Sequence, residues 1–175
     1  PTAGTSVFLI GAADGSLAAF SLHGHGGEVS ATALPAHSAA AVGAALRAEG
    51  ETHAAPALAD LDDDGRTDLL VGTGAGALRA YRNVGSEESP QYVRWEDQPL
   101  QDFSPTTPEE AALGPLLDPL RALPARGTTL AVAHARPAVV DVDGDGALDV
   151  FVRCDGCGDD GHAILYLRNT GVARR

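Results

Sequence analysis

The stretch His53-Ala-Ala-Pro56-Ala-Leu-Ala-Asp60-Leu-Asp62-Asp63-Asp64-Gly65-Arg66-Thr67-Asp68-Leu-Leu-Val-Gly72 decides the reading, because the chain contains it twice. The copy, His134-Ala-Arg-Pro137-Ala-Val-Val-Asp141-Val-Asp143-Gly144-Asp145-Gly146-Ala147-Leu-Asp149-Val-Phe-Val-Arg153, lies 81 positions on. Gly76-Ala-Leu-Arg-Ala-Tyr81-Arg82-Asn83-Val-Gly85 follows the first, and His162-Ala-Ile-Leu-Tyr-Leu167-Arg168-Asn169-Thr-Gly171 follows the second. There the offset is 86, so five residues are inserted around Cys154–Gly161. A weaker copy, Val7–Phe20, sets its Phe8–Phe20 against Leu69–Tyr81 at an offset of 61. In that register Pro1–Ser6 fall where an acidic loop would be, so the first unit is truncated or degenerate. Self-similarity at fixed spacing is the mark of a repeat architecture.

Each unit reads as short strands around an acidic loop. Pro56–Ala59 and Pro137–Val140 are apolar runs entering the loop, and Asp68–Gly72 and Asp149–Arg153 leave it. Leu78–Arg82 and Ile164–Arg168 follow as second strands, and Tyr92–Trp95 alternates like an outer strand. Asn83 and Asn169, each before x-Gly, read as turn residues that tolerate a left-handed backbone. Thr107-Pro108-Glu109-Glu110 has the composition of a helix start, so a short helical insertion is expected near 107–113. The Ala-rich Ala39–Ala48 is expected to give one or two helical turns. The expected fold class is all-β. The expected division is a partial repeat over 1–36, acidic-loop repeats over 37–103 and 131–175, and an insertion over 104–130.

The composition narrows the function classes. The chain has 175 residues and a net charge of −12, from 24 Asp and Glu against 12 bases, all of them Arg. Nucleic acid is disfavoured as a partner, because phosphate contacts need clustered bases. No apolar run approaches the ~20 residues of a membrane span. The absence of Met leads to the expectation of a processed chain or a segment of a longer protein.

The acidic loops explain the charge. Asp60, Asp62, Asp64 and Asp68, like Asp141, Asp143, Asp145 and Asp149, follow D-x-D-x-D-G-x-x-D. Alternate carboxylates in a tight loop converge on one point, and the carbonyls of Arg66 and Ala147 can add an oxygen. An all-oxygen shell of this kind suits Ca²⁺ better than Mg²⁺, which demands a stricter octahedron. Two Ca²⁺ sites are expected. The loop is not a complete EF-hand, since Val71 and Val152 stand where the bidentate Glu belongs. Asp68 and Asp149 must close the sites, and the expected Kd is on the order of 10⁻⁴–10⁻³ M.

These units resemble FG-GAP/VCBS repeats, the calcium-loop blades of integrin-α-like β-propellers. The resemblance covers roughly Ala54–Tyr92 and Ala135–Gly171, with Val7–Phe20 as the weaker copy. Ala-Ala-Pro56 and Ala-Arg-Pro137 replace the family's Gly-Ala-Pro and favour the VCBS variety. The resemblance implies a partial β-propeller whose loops join the first two strands of four-stranded blades and hold Ca²⁺. A closed propeller needs at least about four blades. Three incomplete units fall short of that, so exposed sheet edges and a neighbouring partner are expected.

The implied role is a non-enzymatic module for protein or glycan binding, adhesion or assembly, outside the cell or at its surface. Its partners would be other protein chains or the rest of a larger propeller. The alternatives are an accessory propeller region of a secreted enzyme, of polysaccharide lyase or phospholipase type, or an intracellular scaffold subunit. No G-x-S-x-G, H-E-x-x-H or phosphate loop is present. Cys154-x-x-Cys157 is open between a loop-tightening disulfide, a redox pair and half of a zinc site. His53 and His134 read as residues that end a strand or cap a turn. The Arg82 and Arg168 stems are expected to cover apolar strand surface.

Overall fold

A computed structural model describes residues 6–25, 28–34, 37–95, 103–105, 133–142, 144, 146–155 and 162–169. They form eleven strands and one helix in three antiparallel sheets. The first sheet joins β1 (Ser6–Gly11), β2 (Leu17–His25) and β3 (Glu28–Ala33) in that order. Helix α1 (Ala39–Ala48) leads into the second sheet, built in sequence order from β4 (Ala55–Ala59), β5 (Asp68–Gly72), β6 (Leu78–Asn83) and β7 (Tyr92–Arg94). The third sheet has the order β8-β11-β10-β9, from β8 (Phe103–Pro105), β9 (Ala133–Val140), β10 (Asp149–Asp155) and β11 (His162–Asn169). Its fourth strand therefore comes from before the unit rather than after it. The all-β expectation holds, while the described residues make no closed ring of blades. The helix expected near 107–113 lies outside the described residues.

Helix α1 runs ten residues, longer than the one or two turns expected. Ala is the strongest helix former, and Ala39, Val42 and Leu46 recur on one face and are buried. Glu49 caps the C-terminus. Beyond it Gly50 takes a left-handed φ of 80°, its N–H donates to the Arg47 carbonyl, and the Glu51 N–H donates to Leu46. This paired closure ends the helix and turns the chain toward β4.

Strand β5 lies between two cores. Leu69 and Val71 face Leu17, α1 and Tyr81, whereas Leu70 faces Ala135, Val150, Val152 and Leu167 of the third sheet. Side chains alternate across a strand, so covering both faces requires the unbroken apolar run Leu69-Leu70-Val71. Burying each of these side chains stabilises the fold by ~1.5–3 kcal/mol.

Successive units dock by one repeated set of contacts. The His53 and Ala54 N–H groups donate to the Ala13 and Ala12 carbonyls, at 3.0 and 3.1 Å. The His134 and Ala135 N–H groups donate to Gly74 and Thr73 in the same way, both at 3.0 Å. Gly11 and Gly72 permit this approach: a Cβ on either would lie 1.8 Å from the Ala54 carbonyl oxygen or 2.1 Å from that of Ala135. In unit one β1 occupies the place of β5, and no described strand stands where β4 and β9 stand in the other two.

Candidate metal centre

The loop between β4 and β5 is folded by its own carboxylates. Asp60 accepts the Asp64 N–H on Oδ1 at 3.0 Å and the Gly65 N–H on Oδ2 at 2.8 Å. Left-handed steps at Asp63 (φ 57°) and Gly65 (φ 82°) make the turn tight enough for this. Asp68, the first residue of β5, is fully buried. It accepts the Leu61 N–H at 3.1 Å and the Asn83 N–H at 2.8 Å, tying the loop's start to the end of β6. Charge-assisted bonds of this kind make burial of a carboxylate tolerable.

This folding brings one oxygen each from Asp60, Asp62 and Asp68 within 4.8 Å of one another. Asp62 Oδ1 is buried and has no hydrogen-bond partner among the described residues. A buried, partnerless carboxylate oxygen beside two further carboxylates fits a hard cation, the sort of partner that can satisfy it. Asp64, expected as a fourth ligand, instead pairs with the guanidinium of Arg66 and, at 3.1 Å, with that of Arg82. Arg82 Nη2 also lies 2.5 Å from Asp62 Oδ2. The Arg66 side chain is anchored further by an Nε–H bond of 2.9 Å to the Asn83 carbonyl.

The charges follow from this packing. Burial pushes the Asp68 carboxyl up to about 6, with Asp62 and Asp64 adding to the rise against the two amides it accepts. Burial also raises Asp62, opposed by Arg82 and reinforced by Asp64 and Asp60. Burial acts to raise Asp64 too, but the Arg82 hydrogen bond, the Arg66 amide and both guanidinium charges outweigh it and hold the group low.

The second loop repeats the scaffold. Asp141 accepts the Gly144 N–H at 2.8 Å and the Gly146 N–H at 3.1 Å, and Asp149 is buried and accepts the Val142 N–H at 3.3 Å. Gly144 (φ 75°) and Gly146 (φ 87°) take the left-handed steps of Asp63 and Gly65. Tyr166 is an addition: stacked on Phe151 at 4.9 Å, it donates its hydroxyl to Asp149 at 2.9 Å. Ala147, the counterpart of Arg66, is buried. Asp143 and Asp145 lie outside the described residues.

Several residues differ from expectation or were missed. Arg82 does more than cover strand surface: it is ion-paired within the loop, with its guanidinium carbon 5.4 Å from the Trp95 ring centre. A basic residue on β6, beside carboxylates too close to share a site without a cation, was the available signal. Asn83 holds its turn through the side chain, Oδ1 accepting the Gly85 and Gln91 N–H groups, and not by a left-handed backbone. Besides Asp63, the described non-glycine residues with a left-handed backbone are His53 and His134, at φ 51° and 56°, and their rings meet edge to face at 4.4 Å across the unit junction. Cys157 lies outside the described residues. No helix among the described residues is long and apolar enough to cross a membrane.

No protein-family model matches the chain, and no curated protein matches it.

Proposed function

We propose that the chain is a calcium-stabilised module of FG-GAP/VCBS-type propeller blades that works by binding rather than catalysis. The observation that carries this reading is the convergence of Asp60, Asp62 and Asp68, with Asp62 Oδ1 buried and partnerless. Asp60, Asp62 and Asp68 would hold Ca²⁺ in the first loop, with Asp64 and the Arg66 carbonyl joining. Asp141, Asp143, Asp145, Asp149 and the Ala147 carbonyl would hold it in the second. The donors are all oxygen, as Ca²⁺ prefers. Two bound ions would take the net charge of −12 to −8 and relieve the repulsion within each loop.

The repeated docking contacts support the propeller part of the proposal, since one relation applied at every junction generates a ring or an open array of blades. Calcium would then fix the loops and orient the blades for protein or glycan partners in an extracellular assembly.

Calorimetric titration with CaCl₂, together with thermal melting with and without chelator, tests the proposal. Two sites per chain, with Kd on the order of 10⁻⁴–10⁻³ M, and a melting temperature that falls on chelation are expected. Melting curves that ignore calcium, with no heat of binding, would reduce the loops to acidic turns.

A further inference from the structure

We propose that Arg82 is a resident counter-ion of the Asp60–Asp68 loop that calcium must displace, and that Trp95 senses the displacement. The inference rests on the calcium reading of that loop and adds how the site is regulated.

Arg82 projects from β6 and spans two carboxylates with one nitrogen, Nη2 lying 2.5 Å from Asp62 Oδ2 and 3.1 Å from Asp64 Oδ2. Asp62 is a member of the metal-ready triad, so the guanidinium and an incoming cation compete for the same group. Like charges at that separation repel, and the fold cannot hold both cations at full strength. Arg82 is also incompletely satisfied where it sits. Its Nε is buried with no hydrogen-bond partner, so the side-on fork of Nε and Nη2 is not engaged. Release into water hydrates that N–H while calcium takes over the carboxylate. The arginine-held and calcium-held arrangements are therefore alternatives, and calcium affinity is lowered by the cost of leaving the first.

The exchange has a built-in reporter. The Arg82 guanidinium carbon lies 5.4 Å from the Trp95 ring centre, and Trp95 packs against the core shared by the second and third sheets. Trp95 is the sole tryptophan of the chain, so its emission is read without interference from another. Arg66 supplies the control. It pairs with Asp64 as Arg82 does but is anchored on the Asn83 carbonyl.

The experiment follows Trp95 emission and calorimetric heat in parallel during calcium titration. It is done in an Asp143→Asn background, so that the heat reports the first loop. Emission is expected to change with the same midpoint as the heat. Arg82→Met is expected to tighten binding at least about threefold and to abolish the emission change. Arg66→Met should leave the emission change in place. Arg82→Gln provides a second arm should the Met variant fold poorly, and the parent protein's own emission needs no variant. Calcium heat with unchanged emission, or Arg82 variants that bind no tighter, would overturn the inference and leave the calcium reading standing. Neither heat nor emission change would overturn both.

Discussion

On the proposed calcium reading, Asp68 is the buried carboxylate that would link folding to metal binding. It accepts two backbone N–H groups and is fully buried, and burial pushes it up to about 6 from an ordinary 3.8. An acid whose folded pKa lies above its unfolded value holds its proton more tightly when folded. Its contribution to stability is therefore greatest below pH ~4 and declines as pH rises through the window up to ~6. In chelator, the melting temperature of the parent protein should lose ground against that of Asp68→Asn between pH 4 and 6, and then run parallel. A temperature difference that stays flat from pH 4 to 7 contradicts this assignment. Calcium bound as proposed would reverse the slope, because a metal ligand must be deprotonated. Affinity for CaCl₂ should accordingly weaken as pH falls below about 6.

Among the elements, β5 and its docking partner β9 determine how the units join. Gly72 ends β5 where a Cβ would meet the Ala135 carbonyl oxygen at 2.1 Å and Pro137 Cδ at 2.8 Å. Both are parts of a backbone or a ring that cannot swing aside, so Gly72→Ala must push β9 away. Overpacking of this kind costs ~1–3 kcal/mol. Chemical denaturation of Gly72→Ala should show a loss in that range, and hydrogen exchange should rise first at the His134 and Ala135 amides. Wild-type stability in the variant would mean the junction is looser than the contacts imply. The strands themselves were legible in the sequence, because Leu69-Leu70-Val71 and Val150-Phe-Val152 are apolar runs, the first bounded by Asp68 and Gly72 and the second by Asp149 and Arg153. The junction was not. Its hydrogen bonds run from the His134 and Ala135 amides to the Gly74 and Thr73 carbonyls, and main-chain pairing leaves no side-chain signature. The same is true of the His53–His134 ring contact, which arises from the docking and not from any local pattern. The candidate site was legible by type, as spaced carboxylates before a Gly. Which of them converge was not, since Arg82 reaches Asp62 and Asp64 from another strand.

For the whole molecule, two loops with the same scaffold on consecutive sheets should act as two stabilising weights. A ligand that binds only the folded chain stabilises it by RT ln(1 + [L]/Kd), about 1.4 kcal/mol per site when calcium is tenfold above Kd. Two sites then give ~3 kcal/mol, and for a chain of this size each kcal/mol moves the melting temperature by ~2–4 °C. Calcium tenfold above Kd should therefore raise the midpoint by roughly 6–12 °C, an amount that grows with the logarithm of calcium concentration. Asp62→Asn and Asp143→Asn, one substitution in each loop, should each remove about half of that rise, and the double variant nearly all of it. The sheets share the core around Leu70 and Val150, so the two halves should melt as one transition and not in two steps. Scanning calorimetry of the four proteins at several calcium concentrations reads both effects. If one single variant loses the whole rise, one loop alone carries the calcium effect. If two transitions separate, the sheets are not one cooperative body and the shared core contributes less than its burial implies.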